Sequence, residues 1–397
     1  MKSGVALLIS APLITWVVTA IAAHPALVGL APAVVAKTGA VVFLLLLFWV
    51  GGAGVISRAK LHPAFAAGLL FGTAALLGAA LGFDPAGGVA AAVIFCFIAL
   101  AGNQLYRLAA GGAWSAFVTA WLSTGIVLCA IALAAMAARR PALLYAFSHG
   151  RAIGIFENPN ELGLFALSIA AVATGALLVG IRRYRARSLA ITALVVAVVT
   201  LGATGSRSGE ASFVLGALAL AGMFVRGRAA LAALALVAIL GLALAYGIDR
   251  RHNPAENQSR LAAWHAGIRT VALFPLTGVG MGSYYRVYPV VREPDAPGPD
   301  DPIAFDPHDF YLAVAGETGL LGLAGFIWTI VVFAKHARLV LVRGDPTERH
   351  FAIAISAGLF AIGADLLFNA FALAIVLWAF MAAMLFGAAR TSGTVAE

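Results

Sequence analysis

Long apolar runs separated by short polar breaks dominate the chain, and their lengths set the first expectation. A helix needs roughly 20 apolar residues to cross a bilayer, and runs of that size recur throughout the sequence. They predict about twelve transmembrane helices, over residues 5–23, 38–56, 63–82, 87–102, 114–138, 160–181, 188–203, 208–225, 228–247, 310–334, 350–368 and 370–389. The last two form one apolar run interrupted only around Asp365 and Asn369. The only long polar segment is 248–309. The expected fold is an all-α polytopic membrane protein, a single integral membrane domain over 1–397 with one large external loop, 248–309. The opening MKSGVALLISAPLITWVVTA shows no clear small-residue cleavage site and more spans follow it, so it reads as an uncleaved first helix.

Composition agrees. Hydrophobic residues make up 62% of the chain and charged residues 11%, whereas a soluble domain carries about 25% charged residues. Cys96 and Cys129 both fall inside apolar runs and read as small core residues. Charge adds an orientation. Cytoplasmic loops are enriched in Lys and Arg. With Lys2 inside, the same face collects Arg58, Lys60, Arg107, the run RRYRAR (182–187), RGR (226–228), Lys335, Arg338 and Arg343. Both termini then lie in the cytoplasm. The opposite face holds Arg139, Arg140, Arg151, Arg207, Arg250, Arg251, Arg260, Arg269, Arg286 and Arg292, with Lys37 the one lysine. Arginines kept on the disfavoured side point to planar, bidentate recognition of phosphate. The alternative is that they solvate the loop or pair with its acids, which suits Arg250, Arg251 and Arg292 best. Nothing suggests a nucleic-acid partner.

Within the loop, Leu261, Trp264, Ile268 and Val271 recur at helical spacing, with Ser259 placed to cap and Arg260 in the first turn. Such a helix would lie along the membrane surface. PLTGVGMGSYY follows as a glycine-rich turn that lacks the strand, helix and acid of a dinucleotide site. REPDAPGPDDP (292–302) is proline-rich and reads as a mobile flap. Three helix starts share this face. ENPNELG (157–163) offers Asn158 as cap, Pro159 first and Glu161 three residues after the cap. TGSRSGE (204–210) sets Arg207 beside Ser206. DPHD (306–309) offers Asp306 as cap, Pro307 first and Asp309 third. Capping accounts for the acids and for Asn158, but not for Arg207 or His308. Several helix amino termini on one face would suit an anion, and Arg207, Arg260 and Arg151 would complete a pyrophosphate receptor. His308 has two readings: a loop histidine bonded to a carbonyl, or a neutral imidazole in a helix's first turn, able to take a proton from a sugar hydroxyl. Asp309 would orient it or simply cap. No compact set of metal ligands is visible; Asp300, Asp301 and Asp306 are loop acids and Asp84 stands alone. No serine or cysteine nucleophile motif is present either.

The elements RAIGIFENPNELG (151–163), TGSRSG (204–209), SRLAAWHAGIRTVALFPLTGVGMGSY (259–284) and HDFYLAVAGETGLLGLAGF (308–326) together resemble the O-antigen ligase and polymerase superfamily of bacterial inner-membrane glycosyltransferases. The resemblance implies a membrane-embedded glycosyltransferase fold with its active site facing the periplasm, and it makes 248–309 a periplasmic loop. It implies transfer of a glycan en bloc from undecaprenyl pyrophosphate to an acceptor hydroxyl, inverting and metal-independent, with no cofactor. His308 would be the base, Arg207 and Arg260 the pyrophosphate ligands with Arg151 the third, and Asp309, Glu317 and Asn160 acceptor-side or supporting residues. The family often has Asn where this chain has Asp309, a departure that would raise the histidine's pKa and alter substrate preference. One dominant loop favours a ligase acting on lipid A-core, in lipopolysaccharide biosynthesis, over a polymerase with two. A protein O-oligosaccharyltransferase and a lipid-linked glycan transporter are further alternatives. Residues 1–200 and 201–397 show no similarity of the kind transporters carry.

Overall fold

A computed structural model describes residues 61–138, 150–154, 156, 158–179, 184–224, 254–298, 306–370 and 373–390. The expected spans 5–23, 38–56 and 228–247 lie outside them, as do Lys2, Lys37, Arg58, Lys60, Arg139, Arg140, Arg250, Arg251, Asp300, Asp301 and the run 226–228. The helices are α1 (Pro63–Ala80), α2 (Pro85–Leu108), α3 (Trp114–Ala138), α4 (Pro159–Leu178), α5 (Tyr184–Thr204), α6 (Arg207–Phe224), α7 (Pro254–Leu273), α8 (Tyr284–Val291), α9 (Phe310–Arg343), α10 (Pro346–Asp365) and α11 (Leu373–Arg390). Among the described residues, five stretches are long and apolar enough to cross a membrane: Pro63–Ala80, Pro85–Ala138, Pro159–Leu178, Ala186–Thr204 and Phe310–Arg343. The protein is a helical, polytopic membrane protein.

The 54-residue stretch Pro85–Ala138 would measure about 80 Å as one straight helix, far beyond a bilayer core of about 30 Å. It breaks at a π-turn, Ala109–Ala113, where Gly112 takes φ 97°. α2 then packs on α1 and α11, and α3 on α5 and α4. α4 and α11 are buried on nearly every side, as helices that are apolar all round should be. α10 meets α4 and α6 through small residues. A methyl on Gly358 would strike Ala171, and one on Gly216 would strike Ala361. Close approach of this kind replaces the hydrophobic effect as the source of helix association in lipid. Cys129 is buried and Cys96 half-buried, both free.

Four features of the polar side differ from the expectation. α7 begins at Pro254, where the missing N–H costs nothing, so Ser259 lies inside the helix and Arg260 beyond its first turn. Its packed face is Ala263, Ala266 and Thr270, while Leu261 and Ile268 face outward. α9 begins at Phe310, not Pro307. Asp309 is its cap and accepts the N–H groups of Tyr311 and Leu312 at 2.8 and 2.9 Å. Asp306 instead accepts the N–H of His308 at 2.6 Å. Asp84 is not alone: it caps α2 and pairs with Arg286 at 3.0 Å. The N–H of Gly87 and this arginine hold its carboxyl below the usual range. Finally, the described part of the proline-rich segment is tied to α8, through Tyr288 to the Pro297 carbonyl at 3.0 Å.

Candidate active site

The glycine-rich turn after α7 is built into a break in α9. Gly319 adopts φ 64° and ψ −169°, and Leu320 donates to the Pro275 carbonyl at 2.7 Å. Val279 and Gly280 donate to the carbonyls of Gly316 and Glu317 at 3.0 and 2.9 Å. Backbone meets backbone so closely that a side chain on Gly278 or Gly319 would collide with main-chain atoms of the other segment. Glu317 sits at the centre of this junction, partly buried, and its carboxylate accepts N–H groups of Gly282, Ser283 and Tyr284. It therefore serves the amino terminus of α8, a favourable place for an anion. No acceptor-side contact is needed to account for it.

The chosen arginines and histidine converge elsewhere, on the gap between α10 and α11. α10 ends at Asp365, and its last carbonyls need partners. Arg260 donates to the Phe368 carbonyl at 3.0 Å. The N–H of Phe310, two residues after His308, goes to the Leu366 carbonyl at 2.9 Å. Asn369, 1% exposed, accepts from Asn160 at 3.1 Å and donates to Ser208 at 2.9 Å and Asp365 at 3.1 Å. Asn160 in turn accepts from Arg151 at 2.6 Å, and Arg151 also donates to the Thr204 carbonyl at 2.7 Å. Arg207, beside Ser208 at the start of α6, reaches Asn257 of α7 at 3.5 Å. Residues 365–369 thus tie together the segments that carry Arg151, Arg207, Arg260 and His308.

The local sequence explains these positions. Asn158 caps α4 by accepting the Asn160 N–H at 2.8 Å, and Pro159 is first in the helix. Ser206 accepts the Gly209 N–H at 3.2 Å and sets Arg207 as the first residue of α6. His308 has φ 50°, the one non-glycine in the left-handed region among the described residues. Such a conformation is uncommon and concentrates at functional sites. Its Nδ1 lies 3.7 Å from Asp306 Oδ1. The carboxylate beside the imidazole is therefore Asp306, while Asp309 holds the helix. Burial pushes the Asp309 carboxyl up, against the two N–H groups it accepts.

Other arginines of this face have local tasks. Arg269 bonds the Val291 carbonyl at 3.2 Å and Glu293 at 3.3 Å, Arg292 bonds the Ala296 carbonyl at 2.8 Å, and Arg286 pairs with Asp84. Arg292 follows the alternative favoured for it, and Arg269 and Arg286 join it. Among the described residues, no three His, Cys, Asp or Glu side chains gather where they could hold a metal ion.

Comparison with known families agrees with the geometry. Residues 192–327 match the family model described as O-antigen ligase. The match covers about a third of the chain, and over those residues the chain is similar to the O-antigen ligase family. Among curated proteins, none matches it. Members of the superfamily are glycosyltransferase-like enzymes, ligases and polymerases. The match includes Arg207, Arg260, His308, Asp309 and Glu317; Arg151 and Asn160 precede it, and the 365–369 junction follows it. Sequence reasoning missed the site roles of Ser208, Asp365 and Asn369. The signal was present, because Asp365 and Asn369 are the interruption in the last apolar run.

Proposed function

We propose that this chain is a member of the O-antigen ligase superfamily and moves a glycan en bloc from undecaprenyl pyrophosphate to an acceptor hydroxyl on lipid A-core, at the periplasmic face of the bacterial inner membrane. One observation carries the reading: four segments distant in sequence, bearing three arginines and a strained histidine, are tied to residues 365–369. Bonds to the Leu366 and Phe368 carbonyls, and an amide chain through Asn369, join these segments at one end of α10, which supports the reading. In the proposed reaction Nδ1 of His308 faces Asp306, and Nε2 removes the proton from the acceptor hydroxyl. The oxygen attacks the anomeric carbon from the side opposite the pyrophosphate, so the C–O bond to the carrier breaks with inversion. Arg207 and Arg260 hold the leaving pyrophosphate and offset the charge it gains, as preorganised donors do. Arg151, steadied by Asn160, is the third cation. Asp309 and Glu317 support the site by fixing α9 and α8.

The test is reconstitution with an undecaprenyl-pyrophosphate-linked glycan and lipid A-core. Product on lipid A-core supports a ligase, and growth of the lipid-linked glycan would make the protein a polymerase. His308→Ala abolishes transfer while the protein stays inserted and folded, and Arg260→Ala abolishes transfer as well. Near-normal transfer by His308→Ala would overturn the mechanism.

A further inference from the structure

Between the arginine and the histidine of the proposed mechanism stands an aromatic side chain that the mechanism does not use. Arg260, Trp264 and Gly267 follow one another along one face of α7, at the spacing that makes helix neighbours. At one end of this strip Arg260 holds the Phe368 carbonyl at 3.0 Å. At the other, a methyl group on Gly267 would come within 3.1 Å of Pro307 and 3.5 Å of Leu312. This glycine therefore lets α7 approach the segment that carries His308. Residues 260 and 267 lie about 10 Å apart along the helix axis. Trp264 stands in the interval, its ring centroid 6.1 Å from that of Phe368 and tilted 45° to it.

Trp264 is half-buried, and its indole N–H is buried with no acceptor among the described residues. A buried tryptophan N–H ordinarily finds a partner, and one left without needs an explanation. Phe368 beside it is 42% exposed, so the neighbour of the indole is free to yield to an incoming group. The chemistry of the proposed reaction says what that group is. Inversion sets the anomeric carbon between the acceptor oxygen, at His308, and the leaving pyrophosphate, at Arg260. The ring of the transferred sugar must then occupy the same interval as Trp264. The electron-rich face of an aromatic ring attracts the C–H face of a pyranose, and the sugar also brings oxygen acceptors for the N–H.

Resting on the function given above, we propose that Trp264 is the binding subsite for the pyrophosphate-linked sugar of the donor. Its ring packs on a face of that sugar, with Phe368 moving aside as the sugar enters, and its N–H donates to a sugar oxygen. Arg260 then reads the pyrophosphate, and Trp264, one turn along α7, reads the first sugar of the glycan.

The experiment measures binding to the full-length protein in nanodiscs with two probes, bare undecaprenyl pyrophosphate and the same carrier linked to the glycan. Wild-type protein binds the glycan-linked probe about tenfold more tightly. Trp264→Ala abolishes that preference by weakening the glycan-linked probe alone. Trp264→Phe keeps a ring and loses the N–H, so it weakens the glycan-linked probe by about threefold and leaves the bare carrier unchanged. Binding of the bare carrier thus reports that each variant is folded, and Trp264→Phe decides the matter where Trp264→Ala binds neither probe. Equal losses for both probes, or a wild-type preference retained in Trp264→Phe, would overturn the proposal. A wild-type protein that binds both probes equally also overturns it and leaves the glycosyltransferase reading intact. One that binds neither overturns both.

Discussion

Asn369→Ala tests whether the junction of α10 and α11 organises the site. The side-chain amide accepts from Asn160 at 3.1 Å and donates to Ser208 and Asp365 at 2.9 and 3.1 Å, all in a buried setting. Truncation leaves an Asn160 N–H and an Asp365 carboxylate oxygen without these partners. A buried polar group left unpaired costs about 1–3 kcal/mol, so two give roughly 2–6 kcal/mol, and partial relaxation or entry of water brings the expectation to about 2–4 kcal/mol. The consequence for activity is separate. Arg151 is held through Asn160 at 2.6 Å, so loss of Asn369 loosens the anchor of a proposed pyrophosphate ligand and raises donor KM. The assay is a double-mutant cycle with Asn160→Ala and Asn369→Ala, read by thermal unfolding in detergent and by donor KM. If the two act as one unit, the double variant is clearly less damaging than the sum of the singles. Strict additivity, or an Asn369→Ala enzyme with wild-type unfolding and wild-type KM, would refute the reasoning.

Other substitutions separate roles that the geometry distinguishes. Asp306→Ala removes both the acceptor for the His308 N–H and the carboxylate beside its imidazole; kcat falls by about ten- to a hundredfold, consistent with loss of a positioning bond, with KM little changed, and Asp306→Asn, which can still accept that N–H, recovers part of it. Glu317→Gln weakens the anion at the α8 amino terminus and lowers stability by about 1–3 kcal/mol, seen as earlier thermal unfolding, with less effect on turnover of the folded fraction. Arg286→Ala and Arg269→Ala release loop contacts and keep most transfer activity, unlike Arg207→Ala; equal losses in all three would remove the distinction between loop and site arginines.

Much of the membrane part was legible because lipid permits so few solutions. Apolar runs predicted 63–82, 114–138 and 188–203, and the helices cover Pro63–Ala80, Trp114–Ala138 and Tyr184–Thr204. The cap at Asn158 was legible because a polar residue followed by Pro leaves few other registers, and the helix start at Arg207 because the polar break between two apolar runs is short there. The start of α9 was not, since Asp306 and Asp309 are both competent caps and Pro307 suits a first turn. A tertiary bond decided it: the Phe310 N–H goes to Leu366, a partner that no local pattern reveals. The same cause hid the junction. Asp365 and Asn369 marked a boundary in the sequence, but the bonds of Asn369 to Ser208 and Asn160 cross 161 and 209 positions.

The bonds that assemble the site also complete the end of α10, and this constrains how its arginines can be tested. In a membrane protein a helix break survives only where its freed carbonyls find partners. Arg260 provides one for Phe368, so Arg260→Ala removes a guanidinium from the site and a partner from the break at once. Loss of transfer in that variant alone would not separate chemistry from folding. Arg260→Lys does. A lysine ammonium can still donate to a carbonyl, but it lacks the planar fork that grips two phosphate oxygens. The expectation is that Arg260→Lys unfolds at close to the wild-type temperature, while transfer falls by about tenfold or more, as the loss of a charge-assisted bidentate contact implies. Recovery of both stability and transfer by lysine would mean that Arg260 serves the break alone, and the pyrophosphate role would pass to Arg207 and Arg151.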